Sequence, residues 1–321
     1  MRERRSDRGV WTERAGVWIE GAARDLGYAA RGLRREPLFT AGVIVTLALG
    51  LGANAAMAGL LDRLLLRPPP HVRDAGRVAR VAVEHTGRDG RPYAMGTMSY
   101  PEFEDLRTLA RAFEEVAAAR ADEVTLGSGA DAAQVRAELV SGGYFRLLGT
   151  RPALGRFFGE DEDRAPAGTP VVVLSHDFWR RQFGADRAAL GSTVRLDGGE
   201  FTVVGIAPRG FTGAGIEPVD VWVPLAAGAA ASFPGGWREM RYFNAAAVVA
   251  RLRPDVAPSA AAEDATRALR AGAAAAGASD DEDAHPPRVV LGALAPGRVA
   301  GGAATSETRV ALWSGAVALV V

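Results

Sequence analysis

Residues 38–61 read LFTAGVIVTLALGLGANAAMAGLL, and this stretch of 24 residues decides the fold of the chain. It contains no charged residue and lies between Glu36-Pro37 and Asp62-Arg63. As an α-helix it would extend about 36 Å, which is enough to cross a hydrocarbon core of about 30 Å. A buried helix of a soluble domain rarely needs this length. The stretch therefore predicts a transmembrane helix rather than a core helix.

A cleaved signal peptide is the main alternative for this region. Ala56-Met57-Ala58 fits a cleavage site with small residues at alternate positions. However, 37 residues precede the apolar run, and the run is longer than the roughly 7 to 15 residues of a signal-peptide h-region. These lengths favour a retained helix.

Composition excludes several classes of function. The 38 basic residues balance 38 acidic residues, so net charge gives no electrostatic case for nucleic acid. Cysteine is absent, which excludes a disulfide framework and a thiol nucleophile in this sequence. Every basic residue among the 38 is arginine. Without lysine, the sequence holds no Walker A phosphate loop and no Schiff-base lysine.

The first 37 residues carry a second pattern. Trp18, Leu26 and Leu33 recur at helical spacing, and arginines fall mainly between them. This pattern, just before a spanning segment, predicts an amphipathic helix along the membrane surface, although an ordinary solvated helix is also consistent with it. Four arginines precede the apolar run and five follow it within 19 residues. The positive-inside rule therefore leaves the orientation open.

Small residues inside the apolar run predict a second feature, a contact with another helix. Glycines and alanines recur four residues apart, which lets a neighbouring helix approach closely. Asn54 would place a polar group at membrane depth, where it needs a hydrogen-bond partner. The residues that we assign to helix packing are Ala48, Gly52, Asn54, Ala55, Ala56 and Gly59.

Beyond Pro68-Pro69-Pro70, which ends the helix, the pattern predicts a large α+β domain with a mixed sheet, a hairpin and βαβ units. Gly198-Gly199 separates two alternating runs and predicts a tight turn with two positive φ angles. The spacing of apolar residues predicts a helix that starts near Ser99 and carries Phe113 on its apolar face. Further strands are expected at 77–84, 134–140, 171–174, 220–225, 245–252 and 288–291, and further helices at 144–148, around 178–183 and at 258–274.

No catalytic, cofactor-binding or metal-binding residue can be named. The four histidines lack metal-ligand spacing, and no G-x-S-x-G elbow occurs. Gly50–Ala55 fits the dinucleotide fingerprint G-x-G-x-x-A, but it lacks the strand that should precede it. His176, beside Asp177 at a helix start, is interpreted as a local hydrogen-bonding residue. The acidic run Asp280–Asp283 is interpreted as a solvated loop.

Several pieces of the sequence, in consistent order from about residue 24 to the end, carry a family resemblance. They are Asp25–Leu33, Arg34–Pro37, Thr46–Asn54, Leu65–Pro68, Ser99–Phe103, Leu148–Arg156, Val172–His176, Leu190–Val194, Val203–Ile206 and Val221–Leu225. With these pieces the chain resembles the MacB/FtsX-like permeases of ABC transporters, particularly the large duplicated permeases without a fused ATPase.

The resemblance implies an organisation and a set of partners. Residues 1–37 would be cytoplasmic, 38–61 the first transmembrane helix, 62–309 a MacB-like periplasmic core domain, and 310–321 the start of a truncated second transmembrane helix. The protein would lie in the bacterial inner membrane and pair with a second permease unit. A separate cytoplasmic ATPase would drive movement of the outer domain. No cofactor and no nucleic acid are expected.

Two functions remain open at this point. The first is a permease subunit, or its N-terminal fragment, without catalysis of its own. The second is a single-span anchored domain that acts as a binding or scaffold module. An enzyme of unfamiliar chemistry comes third.

Overall fold

The computed structural model describes residues 37–61, 69–86, 91–129, 132–164, 166–277 and 288–294. The first described element is helix α1, Pro37–Leu61, which is unbroken over 25 residues. Pro37 occupies its first turn, where a missing N–H leaves no hydrogen bond unmade. Thr46 satisfies its hydroxyl inside the helix by donating from Oγ1 to the carbonyl of Gly42 at 2.8 Å. The predicted helix is thus confirmed.

The residues from 69 onward belong to a second unit, which is separate from α1 up to Leu60. Its helices are α2 (Tyr100–Leu109), α3 (Tyr144–Leu148), α4 (His176–Phe183), α5 (Leu225–Ser232) and α6 (Pro258–Ala275). Its strands are β1 (Val78–Thr86), β2 (Pro92–Met95), β3 (Thr97–Met98), β4 (Phe113–Leu126), β5 (Ala133–Val140), β6 (Leu154–Gly155), β7 (Val171–Leu174), β8 (Thr193–Leu196), β9 (Gly199–Ile206), β10 (Val221–Pro224), β11 (Ala246–Leu252) and β12 (Arg288–Ala293).

These strands form a single mixed sheet in the described part of the chain. Its order is β12-β1-β11-β4-β5-β10-β7-β9-β6, with β2 on β1, β3 on β11, and β8 on β4 and β9. The first four strands in this order are antiparallel. Helix α2 lies between β1 and β4 in the chain, and α6 connects β11 to β12. The half of the sheet formed by β12, β1, β11 and β4 therefore has the strand order of a ferredoxin-like split βαβ fold. The second half, formed by β5 to β10, is inserted in the chain between β4 and β11. The predicted βαβ unit is confirmed: it consists of β11, α6 and β12, and β1 lies between its two strands in the sheet.

Strand β4 joins the two halves. Residues 113–119 pair with β11, whereas residues 119–126 pair with β5, so the partner changes at Ala119. No strand was predicted here, because alanine and acidic residues have low β propensity. The placement of Phe113 on a helix face was wrong. Helix α2 ends at Leu109, and Phe113 is the first residue of β4.

One local prediction can be refined. The hairpin between β8 and β9 is confirmed, but its turn lies one residue earlier than predicted. The two residues with positive φ are Asp197 (47°) and Gly198 (82°), while Gly199 already pairs with Leu196. Asp-Gly suits a primed turn as well as Gly-Gly does, because aspartate tolerates the left-handed region.

The sheet has an apolar core on each face. On one face α2 and α6 pack through Phe103, Leu106 and Leu269, which are all buried. On the other face lie α3 and the segment after β9, with Tyr144 and Trp222 fully buried. The start of α2 is fixed by a capping box, in which Ser99 accepts from the backbone of Glu102 and the Glu102 carboxylate accepts from the Ser99 N–H.

Some predictions fall on residues outside the described ranges and stay predictions. They are the surface helix with Trp18, Leu26 and Leu33, the acidic run at 280–283, and the second transmembrane segment at 310–321.

Candidate functional site

Helix α1 exposes its large apolar side chains. Leu38 is 90% exposed, and Leu49 and Leu51 are each 69% exposed. Within the described residues, the span Pro37–Met57 is the one helix whose length and composition suit a membrane crossing, and its apolar window has no buried residue. Exposure of this much apolar surface is unfavourable in water. The helix therefore requires an apolar environment.

The predicted packing residues lie on this exposed helix. Ala48, Gly52, Asn54, Ala55, Ala56 and Gly59 are all exposed. A Cβ atom placed on Gly50, Gly52 or Gly59 would meet no described atom within 4 Å outside its own helix. The space that a neighbouring helix would fill is thus open in the described part of the chain, and the packing role stays a prediction.

In the second unit, the segment before β1 is tied to the core by a buried arginine. Arg251 of β11 is 1% exposed, and it donates from Nε to the carbonyl of Leu147 at 2.8 Å and from Nη2 to that of Arg73 at 2.6 Å. The backbone N–H of Arg73 in turn donates to the carbonyl oxygen of Leu148 at 2.8 Å. Burial lowers the pKa of Arg251, and the neighbouring guanidinium of Arg73 adds to this effect. Segment 69–77 is therefore fixed to the end of α3.

The last described strand, β12, lies beside β1, which follows segment 69–77. Ala79 near the start of β1 pairs with Ala293 at the end of β12. Val78 and Leu294 belong to the same buried cluster. The chain thus enters and leaves the described part of this unit on adjacent antiparallel strands.

A cleft of about 850 Å³ opens where β4 changes partner. Its apolar floor is formed mainly by small side chains, and the segment after β9 forms a wall. The residues that the following paragraphs use are Arg80, Glu123, Arg136, Glu138 and Ala214. Cavities of this size are typical of ligand sites.

Glu138 is the best-defined polar group of this cleft. Its Oε2 accepts from Trp222 Nε1 at 2.6 Å and from the Tyr144 hydroxyl at 3.0 Å. Tyr144 also accepts from the N–H of Ala214 at 2.7 Å, which fixes the wall segment to this network. Desolvation raises the pKa of Glu138 to about 7, although both hydrogen bonds and Arg80 oppose this shift. Burial likewise raises the pKa of Tyr144.

A glycine allows the wall segment to lie this close. Gly213 has a φ of 74°, and a Cβ atom there would lie 2.4 Å from the Tyr144 hydroxyl and 2.7 Å from Glu138 Oε2. No other residue type fits this position, because both the backbone conformation and the space exclude a side chain.

The charges of the cleft do not neutralise one another directly. Arg80 donates from Nη2 to the carbonyl of Ala214 at 2.8 Å. Glu123 and Arg136 lie directly opposite each other on β4 and β5. Among the described residues, no ion pair within 4 Å joins Arg80 to Glu138 or Arg136 to Glu123.

A second polar cluster, beside α2, is internally paired. Arg146 contacts Glu115 at 2.8 Å and also contacts Glu160. Asp163 accepts from the N–H groups of Gly142 at 3.1 Å and Ala226 at 2.7 Å, while burial raises its pKa to about 6. These groups hold loops together. Within the described ranges, no group of three or more histidines and acids is placed to hold a metal ion.

His176 does not form the predicted local hydrogen bond. Its Nδ1 lies 3.6 Å from Asp177 and is buried without a hydrogen-bond partner in the described residues. Ser175 caps the helix instead, because its hydroxyl accepts from the N–H of Phe178 at 3.1 Å. The interpretation of His176 was therefore wrong, and the capping residue is its neighbour.

Sequence reasoning missed the cleft entirely. Its charged residues come from β1, from β4 and β5, and from the segment after β9, so no local sequence pattern brings them together. The available signal was an acidic residue, Glu138, at a position of β5 that pairs with Trp222 on β10 and therefore faces the same side of the sheet.

The described residues thus contain one candidate membrane helix followed by a mixed α/β domain. The profile of the MacB-like periplasmic core domain family matches residues 40–268. This match covers well over half of the chain, so the chain belongs to the MacB-like periplasmic core domain family. The resemblance drawn from the sequence is confirmed.

Curated relatives agree with this assignment. The macrolide export ATP-binding/permease protein MacB of Burkholderia cenocepacia is 33% identical over 129 residues, which cover 39% of this chain and 18% of that protein. The protein of the same name from Burkholderia lata is 32% identical over 121 residues, which cover 37% of this chain and 16% of that protein. The match thus spans less than a fifth of either relative.

Two solved structures are similar to this chain, and the first of them supports the fold. A domain of a putative permease protein from Porphyromonas gingivalis has a TM-score of 0.50 at 16% identity, covering 76% of this chain and 98% of that one. The periplasmic region of MacB from Actinobacillus actinomycetemcomitans has a TM-score of 0.45 at 16% identity, covering 63% and 88%.

Proposed function

We propose that the chain is a permease unit, or the N-terminal part of one, of a MacB/FtsX-like ABC transporter. The observation that carries this proposal is the family match itself, which begins inside α1 and continues through the folded domain. The two Burkholderia relatives, both described as export ATP-binding/permease proteins, support the same function. The transported substrate stays open, because the match covers a small part of those proteins.

The ATPase would be a separate partner. This sequence has no lysine, so it cannot supply the lysine that a Walker A loop places against ATP phosphates. ATP hydrolysis by a cytoplasmic ATPase would be coupled to movement of the outer domain, for export or release. The attachment of segment 69–77 to α3 through Arg251 supports such coupling, because a displacement of this segment would reach Tyr144 and the cleft wall.

The second proposed partner is another permease unit. The small residues around Gly52 and the amide of Asn54 would form the contact, because small side chains allow close approach and a buried amide gains from a partner. The lipid bilayer surrounds the remaining face of α1.

The proposed location is the bacterial inner membrane, with the N-terminus cytoplasmic and the main domain outside the cytoplasm. The absence of cysteine allows a direct test with Gly235→Cys, since a Cβ there meets nothing within 4 Å. A membrane-impermeant maleimide should label this variant on intact spheroplasts. Labelling only after lysis would contradict the orientation.

The permease function is tested by co-purification from the native host. Tagged protein extracted in mild detergent should bring down an ABC ATPase that lacks its own permease domain. A protein with Leu49→Arg serves as the control, because it should not enter the membrane. If α1 inserts normally and no ATPase is recovered after cross-linking in cells, the permease function is wrong.

A membrane-anchored binding module is the second candidate. The cleft of about 850 Å³ favours it, because a purely mechanical domain does not need an open cavity with unpaired charges. The two candidates differ in their need for the ATPase. A binding module should keep its activity in cells that lack the partner, whereas a permease should lose it. Neither candidate includes catalysis.

A further inference from the structure

Arginines are concentrated at the end of the sheet where the chain enters the second unit. Antiparallel pairing brings the start of β1, the end of β11 and the start of β4 together there. Hydrogen bonds join the flanking stretches, since Arg77 donates from Nε to the carbonyl of Leu252 at 3.0 Å, and Arg253 donates from Nε to that of Arg111 at 2.9 Å. We call this surface the arginine patch; it comprises residues 71–77, 111–114, 147–151 and 251–255.

Most guanidinium groups of the arginine patch are free to bind a ligand. Three of them are exposed and make no side-chain hydrogen bond or ion pair with any described residue, namely Arg73, Arg111 and Arg151. Arg253 is also exposed, and only its Nε is used. The patch thus presents several unused donors to the solvent.

The acids of the patch are too few to neutralise these groups. Six arginines face three acids, which are Asp74, Glu114 and Asp255. Glu114 already pairs with Arg77 at 2.5 Å. The neighbouring Asp264, which accepts from the N–H of Arg111, pairs with Arg267 and therefore adds no net charge. The patch keeps an excess of positive charge.

A buried charge beneath the patch lacks a counter-ion. Arg251 is 1% exposed, and both of its hydrogen bonds go to neutral carbonyl groups. Its Nη1 is buried without a partner, and within the described ranges no acid lies within 4 Å of it. A buried cation without an anion is unfavourable. An anion bound at the neighbouring Arg73 would offset this charge, so the arrangement points to an anionic ligand.

The chemistry of arginine and the position of the patch in the chain indicate which anion. A guanidinium group binds phosphate oxygens through two parallel hydrogen bonds. Only residues 62–68 join α1 to segment 69–77. A chain of this length reaches at most about 28 Å, so a bilayer that holds α1 lies within reach of the segment. Lipid headgroups are therefore the nearest abundant source of phosphate.

We infer that the arginine patch binds the phosphate groups of anionic phospholipids at the surface of the bilayer. A zwitterionic headgroup binds less well, because its own cation meets the positive charge of the patch. The contact gives the folded domain an attachment to the membrane that depends on charge, in addition to α1. This inference rests on the proposed insertion of α1 and requires no ATPase.

The experiment is native mass spectrometry of the whole chain in a non-ionic detergent. Phosphatidylglycerol and phosphatidylcholine with the same acyl chains are added at equal concentration, so that apolar contacts with α1 are matched. The protein should retain phosphatidylglycerol in preference. Equal retention of the two lipids would overturn the inference.

Two competitors distinguish the sources of the anion. Inorganic phosphate and hexaglutamate, each in large excess, should leave the retained phosphatidylglycerol in place. Displacement by phosphate would assign the patch to a free phosphate, and displacement by hexaglutamate would assign it to an acidic segment of a protein. Either result would contradict lipid binding.

Variants test whether the patch carries the preference. Arg73→Gln/Arg253→Gln should lower the preference for phosphatidylglycerol by about fivefold or more, because each arginine near an anionic surface contributes about a fivefold effect. Arg180→Gln/Arg187→Gln removes two exposed arginines elsewhere and should keep the preference. Arg73→Lys/Arg253→Lys keeps the charge and should retain most of it.

A thermal melt accompanies each variant, and Arg73→Gln alone replaces the double variant if the latter does not fold. A folded glutamine variant that prefers phosphatidylglycerol as strongly as the Arg180→Gln/Arg187→Gln control would overturn the site. Membrane flotation of the same proteins separates this result from the permease proposal. Failure of α1 to insert would release every variant and the unmodified chain alike, whereas failure of the patch would leave all of them with the lipid.

Discussion

Helices α1 and α6 are both rich in alanine and glycine, yet the chain uses them differently. α6, with 18 residues, has one apolar face and buries Ala261, Ala265 and Leu269 against the sheet. α1, with 25 residues, is apolar on all sides and leaves Leu38, Leu47, Leu49 and Leu51 exposed. An amphipathic helix can complete its packing inside a soluble fold. A helix without a polar face requires lipid or other helices around it.

The glycines of the two helices also differ in whether other described atoms lie close to them. A Cβ on Gly272 in α6 would lie 2.0 Å from the carboxylate carbon of Asp105, which pairs with Arg241 at 2.8 Å. A Cβ on Gly52 in α1 would meet no described atom outside its own helix within 4 Å. Gly272 is therefore needed by a contact within the described structure, whereas any need for Gly52 must come from a partner.

The largest expected effect follows from a charge at the centre of α1. Leu49→Arg should oppose membrane insertion by about 3 kcal/mol, because arginine is costly and leucine favourable at the middle of a spanning helix. The measurement is the fraction of protein recovered with membranes. Leu49→Ala is the matched control and should remain inserted. If Leu49→Arg is recovered with membranes as fully as Leu49→Ala, α1 does not differ from α6 in its need for a fully apolar surface.

Gly272→Ala should destabilise the folded domain by about 2 kcal/mol. The new methyl group displaces the Asp105 carboxylate and disturbs its bridge to Arg241. Chemical denaturation followed by tryptophan fluorescence measures the change. The matched change in α1, Gly52→Ala, should leave this transition where it is. A domain that tolerates Gly272→Ala would show that the contact between α2 and α6 is looser than the structure indicates.

Glu138→Gln should change how stability depends on pH. The pKa of Glu138 rises from 4.5 to about 7 on folding, so its contribution to stability is complete below pH 4.5 and is lost as pH rises through 7. Removing the ionisable group should therefore raise the free energy of unfolding at pH 8, on the order of 3 kcal/mol, and leave it nearly unchanged at pH 4.5. Denaturation curves at both pH values provide the test, and a gain that is equal at the two values would contradict the assigned burial of Glu138.

The smallest effect is expected for Gly52→Leu. The larger side chain keeps α1 apolar but blocks close approach of a second helix, which should weaken association by about 1 kcal/mol or less. Cross-linking between units in membranes measures this, and Ile44→Leu on the same helix is the control. Unchanged cross-linking together with normal insertion would count against the packing face.

The sequence predicted those parts of the fold that depend on local patterns. α1, the apolar strand β7 and the hairpin between β8 and β9 each follow from residues that are adjacent in the chain. Strand β4 was missed because its alanines and acids form a strand only when β11 and β5 pair with it. The tertiary partners, rather than local propensity, decide such a segment.

The candidate sites show the same difference between features that depend on local patterns and features that depend on tertiary partners. The residues of α1 could be chosen from spacing alone, because small residues four apart share a helix face. The cleft could not be predicted, because Arg80 and Glu138 come to line one cleft only through the pairing of β1, β11, β4 and β5 in the sheet. Gly213 gave no signal either, since its close contact is with Tyr144, 69 positions earlier in the chain.

We propose that α1 lies in lipid and that the mixed α/β domain folds outside the bilayer. The most direct measurement is flotation of the unmodified chain on a density gradient, after membranes have been washed with alkaline carbonate. We expect the protein to remain with the lipid and to need detergent for extraction. A full-length protein that stays soluble and monodisperse without detergent would contradict the claim.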